Sequence, residues 1–154
     1  MRIEIIHKHQ WNDFLRLQSL LMRNGRRSET ISKKEMLKRL YHVFFVDLCI
    51  QKPPHYTWVA LSGNNYLGHL WGCVLPLQLT SEEKKLNLFN VVVDPSCRRK
   101  GVGSKLYRQA EIFCLKNNIR VIDCQAKLFN KGAMSFCRKN GYIVDGVLFR
   151  RELL

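Results

Sequence analysis

Residues 90–104, NVVVDPSCRRKGVGS, join an apolar run, an Asp-Pro break, three consecutive cations and two glycines one residue apart. A strand that stops at Asp94-Pro95 and continues as a helix would aim successive backbone N–H groups around Gly101 and Gly103 at one point. Such amides bind anions, because unsatisfied N–H groups and the positive end of the helix dipole coincide there. Glycine lets the backbone approach its ligand closely. The chemistry implied is retention of a phosphorylated ligand. Two other phosphate loops are excluded: the order GxxxxGK[ST] is absent, and a GxGxxG reading lacks its third glycine.

Other reactive side chains are sparser. Cysteines 49, 73, 97, 114, 124 and 137 contain no CxxC pair, so neither a zinc site nor a compact disulfide framework is signalled and we expect reduced thiols, mostly in the core. His69 shares strand parity with Leu67, Trp71 and Cys73, which leaves it as a satisfied core histidine or as a base poised over a cleft. Glu82 and Glu83 read as a solvated turn.

These residues are carried by a chain of 154, a length that fits one domain over 1–154 with a sizeable core, and 46% hydrophobic content agrees. Lysine and arginine exceed aspartate and glutamate by 26 to 12, giving +14, which favours polyanionic partners and disfavours polyamines. The excess is spread out, +6 over residues 1–80 and +8 over residues 81–154, without the dense aromatic-basic block of a nucleic-acid surface. The opening MRIEIIHKHQ lacks the apolar core of a signal peptide, and no stretch nears the roughly 18 apolar residues of a membrane span. A soluble, cytoplasmic protein without a membrane partner is expected.

Patterning then supplies the elements. Residues 3–6 suit a first strand, and Trp11, Phe14, Leu15, Leu21 and Met22 recur at helical spacing until the polar stretch 23–30. Ser32 with Glu35 signals a capping box for a second helix, striped by Leu37, Leu40, Tyr41, Phe44, Phe45 and Leu48 and stopped at Pro53-Pro54. Residues 57–61 and 66–79 favour strands around a turn at 62–65, and residues 86–93 form the strand before the cradle. In that strand the apolar phase slips from even positions at Leu86 and Leu88 to odd ones at Phe89, Val91 and Val93, so it is buried on both faces or carries a bulge. A crossover helix follows, with Leu106, Tyr107, Ala110, Phe113 and Cys114 on one face, then a parallel strand at 121–125. Asn130 opens a short helix closed by Gly141, and residues 142–144 with 148–151 suggest a last hairpin. The resulting class is α+β (α/β), a mixed central sheet flanked by helices in the order β-α-α-β-β-β-α-β-α-β.

Arg98-Arg99-Lys100-Gly101-Val102-Gly103, preceded by NVVVDP, resembles the RxxGxG signature of GCN5-related N-acetyltransferases (GNAT), in the style of ribosomal-protein acetyltransferases. Asn130, Ala133 and the FCRKNGY run at 136–142 resemble the family's closing motif, N..A..FYxKxGF. The resemblance implies acetyl-coenzyme A as cofactor. Its pyrophosphate would sit on the amides of Arg99, Lys100, Gly101, Val102, Gly103 and Ser104 beside Arg98, with Asn130 also contributing. Val91 and Val93 would pair with the pantetheine arm, and a backbone N–H near Val92 or Val93 would contact the thioester carbonyl. Where the family usually has a tyrosine acid this chain has Cys137, and where some members carry a glutamate base it has Asn87. Cys137 as acid and His69 as base are the candidate catalytic residues, and no metal is implied. The acceptor would be an amine on a small molecule, a protein N-terminus or a lysine, or one borne on tRNA or a ribosomal particle. The alternative is a catalytically silent acyl-coenzyme A sensor.

Overall fold

The structure, a computed structural model, describes residues 1–23, 32–47, 49–50, 52–78 and 82–146. They belong to two compact units, Met1–Cys124 and the segment from Gln125 onward. No described helix is long and apolar enough to cross a membrane.

The first unit is built on a five-stranded sheet in the order β1-β2-β3-β4-β5: β1 Arg2–Ile5, β2 His55–Ser62, β3 Asn65–Pro76, β4 Lys84–Val93 and β5 Val121–Cys124. Four strands run as antiparallel neighbours, and β5 joins β4 in parallel after the crossover helix α3, Val102–Lys116. Gly63, at φ +57°, supplies the positive-φ turn residue between β2 and β3. Strand alternation divides the side chains between two faces. Tyr56 and Trp58 meet Phe113 of α3, and Leu70, Leu86 and Leu88 share that face. On the other, Val59, Trp71 and Val92 join a core with Phe14 of α1, Trp11–Arg23, and Leu40 of α2, Lys33–Tyr41.

The second helix departs from expectation in two ways. Ser32 does cap it, its hydroxyl accepting from the Glu35 N–H at 3.2 Å, but the Glu35 carboxylate pairs with Arg39 at 3.1 Å. The apolar stripe also runs through a π-helical turn, His42–Asp47, rather than one α-helix.

The phase slip in β4 is a bulge. Trp71 pairs with Asn90 while Gly72 pairs with Leu88, which leaves Phe89 as the extra residue. Pairing with β5 covers only Lys85 to Leu88 and stops one residue before the bulge.

In the second unit Asn130 caps α4, Lys131–Lys139, its side-chain oxygen accepting from the Ala133 N–H at 3.1 Å. Gly141, at φ +81°, follows the helix end as expected. Residues 142–144, expected as a strand, have no regular structure, and their expected partner at 148–151 lies outside the described residues.

Candidate functional site

The turn after β4 is fixed from below. Asp94 Oδ1 accepts from the Ser96 amide at 3.0 Å and the Ser96 hydroxyl at 2.7 Å, while Oδ2 accepts from Arg16 of α1 at 3.1 Å. The Ser96 hydroxyl bond, together with the Ser96 amide and Arg16, holds the Asp94 carboxyl below its ordinary value. One 3-10 turn, Pro95–Cys97, leads to Arg99 at φ +60° and Gly101 at φ +78°, both left-handed, and α3 begins. Lys105 is the first residue to donate into the helix, to the Gly101 carbonyl at 3.1 Å. The amides of Val102, Gly103 and Ser104 therefore have no partner within the helix. No side chain caps this end and no acid lies in its first turn. Arg98, Arg99, Lys100 and Ser104 stand exposed around it. The result is a concentration of positive charge and unused N–H groups, and a Cβ built on Gly101 would meet nothing within 4 Å, so the space before it is open.

The strand edge leading to this turn is equally unsatisfied. Beyond Leu88, β4 pairs only with β3 among the described strands. The Asp94 N–H donates to the Leu67 carbonyl of β3 at 2.8 Å, and the Val92 carbonyl also lies on the β3 side, 2.5 Å from where a Cβ on Gly68 would fall. Alternation then turns the peptide groups of Val91 and Val93 toward the free edge. The Val93 carbonyl is partly satisfied there by Arg98 Nε at 3.3 Å. Of the two amides expected to contact a carbonyl, Val93 thus faces the edge and Val92 faces β3.

The candidate base lies in the first unit and the candidate acid in the second. His69 is fully buried, tilted against Phe14 with ring centroids 4.3 Å apart and bonded through Nδ1 to the Tyr66 hydroxyl at 3.0 Å, while its Nε2 has no partner among the described residues. Burial pushes its imidazole down to about 3. The ring is sealed from solvent, which favours the core reading of His69 over that of a base poised over a cleft, although Nε2 is not satisfied as that reading expected. Cys137 and Asn130 belong to the second unit; Cys137 is half-buried on α4, and the Asn130 side chain is engaged as its cap. Within the first unit, Val91 to Ser104 form one continuous segment from the free strand edge to the helix start.

Cys73 and Cys114 are buried, whereas Cys49, Cys97, Cys124 and Cys137 are half-buried, so fewer of the thiols are core residues than expected. Burial, with Glu111 nearby, pushes the Cys114 thiol up to about 11. Among the described residues no three His, Cys, Asp or Glu side chains could hold a metal ion.

Two residues not singled out in the sequence adjoin the site. Arg16 ties the cradle turn to α1 from 78 positions away. His55, in the cross-strand row His55–Cys73–Asn87, accepts from Trp71 Nε1 at 3.3 Å. Neither carries a local motif, since both contacts exist only once the sheet is in register.

His69 gives the fold a pH dependence. An unfolded chain takes up a proton at this ring below about 6.5, whereas the folded chain does so only near 3. Its stabilising effect is therefore complete above pH 6.5 and is lost progressively as pH falls toward 3. At about 1.4 kcal/mol per pH unit, acidification to pH 5 should cost on the order of 2 kcal/mol. Urea denaturation at both pH values should show that loss in wild type and a smaller one in His69→Gln.

Comparison with known proteins follows the same lines. The acetyltransferase (GNAT) family profile matches residues 11–142. No curated protein matches the chain. Among solved structures, an acetyl transferase of Pyrococcus furiosus superposes with a TM-score of 0.79 at 21% identity, covering 99% of this chain and 100% of that one. An aminoglycoside acetyltransferase from an uncultured soil metagenomic sample, solved with sisomicin, gives 0.71 at 24%, covering 99% and 95%. An aminoglycoside antibiotic 6'-N-acetyltransferase of Acinetobacter haemolyticus gives 0.72 at 19%, covering 100% and 99%. At these identities the likeness is one of fold.

Proposed function

The chain belongs to the GNAT acetyltransferase family, and on that premise we propose that it transfers an acetyl group from acetyl-coenzyme A to a primary amine by direct attack on the thioester. One observation carries this reading: an uncapped helix start and an unpaired strand edge lie on the same continuous segment, separated only by the turn that Asp94 secures. The fit is good, because the free amides and the open space at Gly101 suit a diphosphate and the Val91 and Val93 edge suits an extended amide-bearing arm.

In this reading residues 99–104 hold the pyrophosphate through the main chain, with the Arg98, Arg99 and Lys100 cations adding charge. Val91 and Val93 would hold the arm as an added strand, and the Val93 N–H would be placed to polarise the thioester carbonyl. When bound, acetyl-coenzyme A supplies the activated acyl group. Asn87 cannot accept a proton, so the acceptor amine is delivered neutral or loses its proton through water. Cys137 is the candidate donor to the departing thiolate. The whole chain, 1–154, acts as one acetyltransferase domain in the cytoplasm, on an amine of a small molecule, a protein N-terminus or a lysine.

Asn87 and the sealed His69 favour one competing reading, an acyl-coenzyme A sensor that binds without turnover. Release of free thiol from acetyl-coenzyme A separates the two. Amine-dependent release is expected of the enzyme, and slow hydrolysis indifferent to every amine would establish the sensor. In the same assay, loss of turnover in Cys137→Ala with unchanged cofactor affinity assigns the proton to that thiol, whereas unchanged turnover assigns it to water.

A further inference from the structure

Resting on the acetyltransferase reading, we propose that the acceptor is an amine borne on a flat aromatic group without further positive charge, seated on the aromatic surface that the β4 bulge exposes.

The extra residue of the bulge brings Phe89 beside Trp71, with ring centroids 4.6 Å apart, and leaves Phe89 42% exposed. Trp71, itself buried in the core, is held from behind by Phe44, edge-on at 5.2 Å, and so braces the exposed Phe89 ring. It adjoins Val91 and Val93 on the same strand, where the acyl group would lie. The opposite face of β4 is closed, because Leu86 and Leu88 are 0% and 2% exposed beneath the α3 layer. On the other face Phe89 is the exposed aromatic residue of β4.

The polar groups on that approach are Asn87, His55 and the Lys85–Asp123 ion pair at 2.7 Å, whose charges cancel. Asn87 replaces a carboxylate in the row with His55. The Trp71 N–H occupies His55 Nδ1, which leaves the proton of the neutral ring on Nε2 as a donor. Several carboxylates on the flanking elements are already paired: Asp13 and Asp94 with Arg16, Glu35 with Arg39, Asp47 with His42 and Asp123 with Lys85. The +14 chain would repel a polycation. An aromatic amine gains stacking and needs no counter-ion beyond its reacting nitrogen.

The test compares 2-phenylethylamine with spermidine and sisomicin as acceptors, following thiol release by the full chain with acetyl-coenzyme A. We expect kcat/KM for phenylethylamine to exceed that for either polycation by at least about tenfold. Phe89→Ala should lower it about tenfold and leave coenzyme A affinity within about twofold, on the scale of a lost aromatic contact. Asn87→Glu should shift preference toward the polycations. Preference for spermidine or sisomicin in the wild type, or an unaffected Phe89→Ala, overturns this proposal alone. Absence of transfer to any amine, with coenzyme A still bound, overturns the acetyltransferase reading and this proposal with it.

Discussion

Gly101→Asp is expected to weaken coenzyme A binding by a hundredfold or more. Two effects add. At φ +78° an L-residue pays about 1 kcal/mol of backbone strain, less for Asp than for most. The larger effect is charge: a carboxylate some 5 Å from a bound phosphate costs about 3 kcal/mol per charge at an effective dielectric near 20. No protein atom lies within 4 Å of a Cβ there, so the fold itself tolerates the side chain. Gly101→Asn isolates the charge, because Asn tolerates the same backbone and has almost the same shape. Calorimetric titration should place Asn within about tenfold of wild type and Asp far below it. Equal losses in both variants would assign the effect to conformation rather than to an anion in the cradle.

Gly68→Ala should be the most damaging small change in the sheet, by the opposite mechanism. The added Cβ would lie 2.5 Å from the Val92 carbonyl oxygen and 3.0 Å from the Val93 Cα, both backbone atoms of β4. No side chain can rotate to relieve that clash, so β3 and β4 must part on the far side of the bulge. A cost of about 3 kcal/mol follows, lowering Tm by about 6–12 °C. Because Val93 borders the free edge, cofactor affinity should fall as well. Gly63→Ala is the contrast: its positive φ carries strain but nothing lies within 4 Å, so its thermal shift should be only a few degrees and its affinity unchanged. A Gly68→Ala protein as stable as wild type would show that the two strands are not held at this spacing.

Elements governed by local physics were legible before any coordinates. The even-to-odd slip between Leu88 and Phe89 marked the bulge because strand parity has a period of two, and one inserted residue inverts it. Asn130 and Ser32 read correctly as caps for the same reason, each bonding only three residues along. The π turn at His42–Asp47 escaped because its apolar positions still satisfy helical spacing. The strand expected at 142–144 depended on a distant partner, and strand formation there cannot be judged from its own residues. His69 was ambiguous because parity gives a face of the sheet but not what covers it, and the cover is Phe14 of α1. The cradle motif was visible as glycine spacing, whereas its anchor, Arg16 on Asp94, joins elements far apart in sequence.

The central claim is that main-chain amides at the start of α3 bind a diphosphate and that the adjoining edge of β4 receives the arm attached to it. Titrating isotope-labelled protein with coenzyme A while following backbone amide resonances tests both parts at once. The account predicts saturable shifts that are largest at residues 99–104 and extend to Val91 and Val93. Saturation with those resonances unmoved, or no saturation at millimolar coenzyme A, would contradict it.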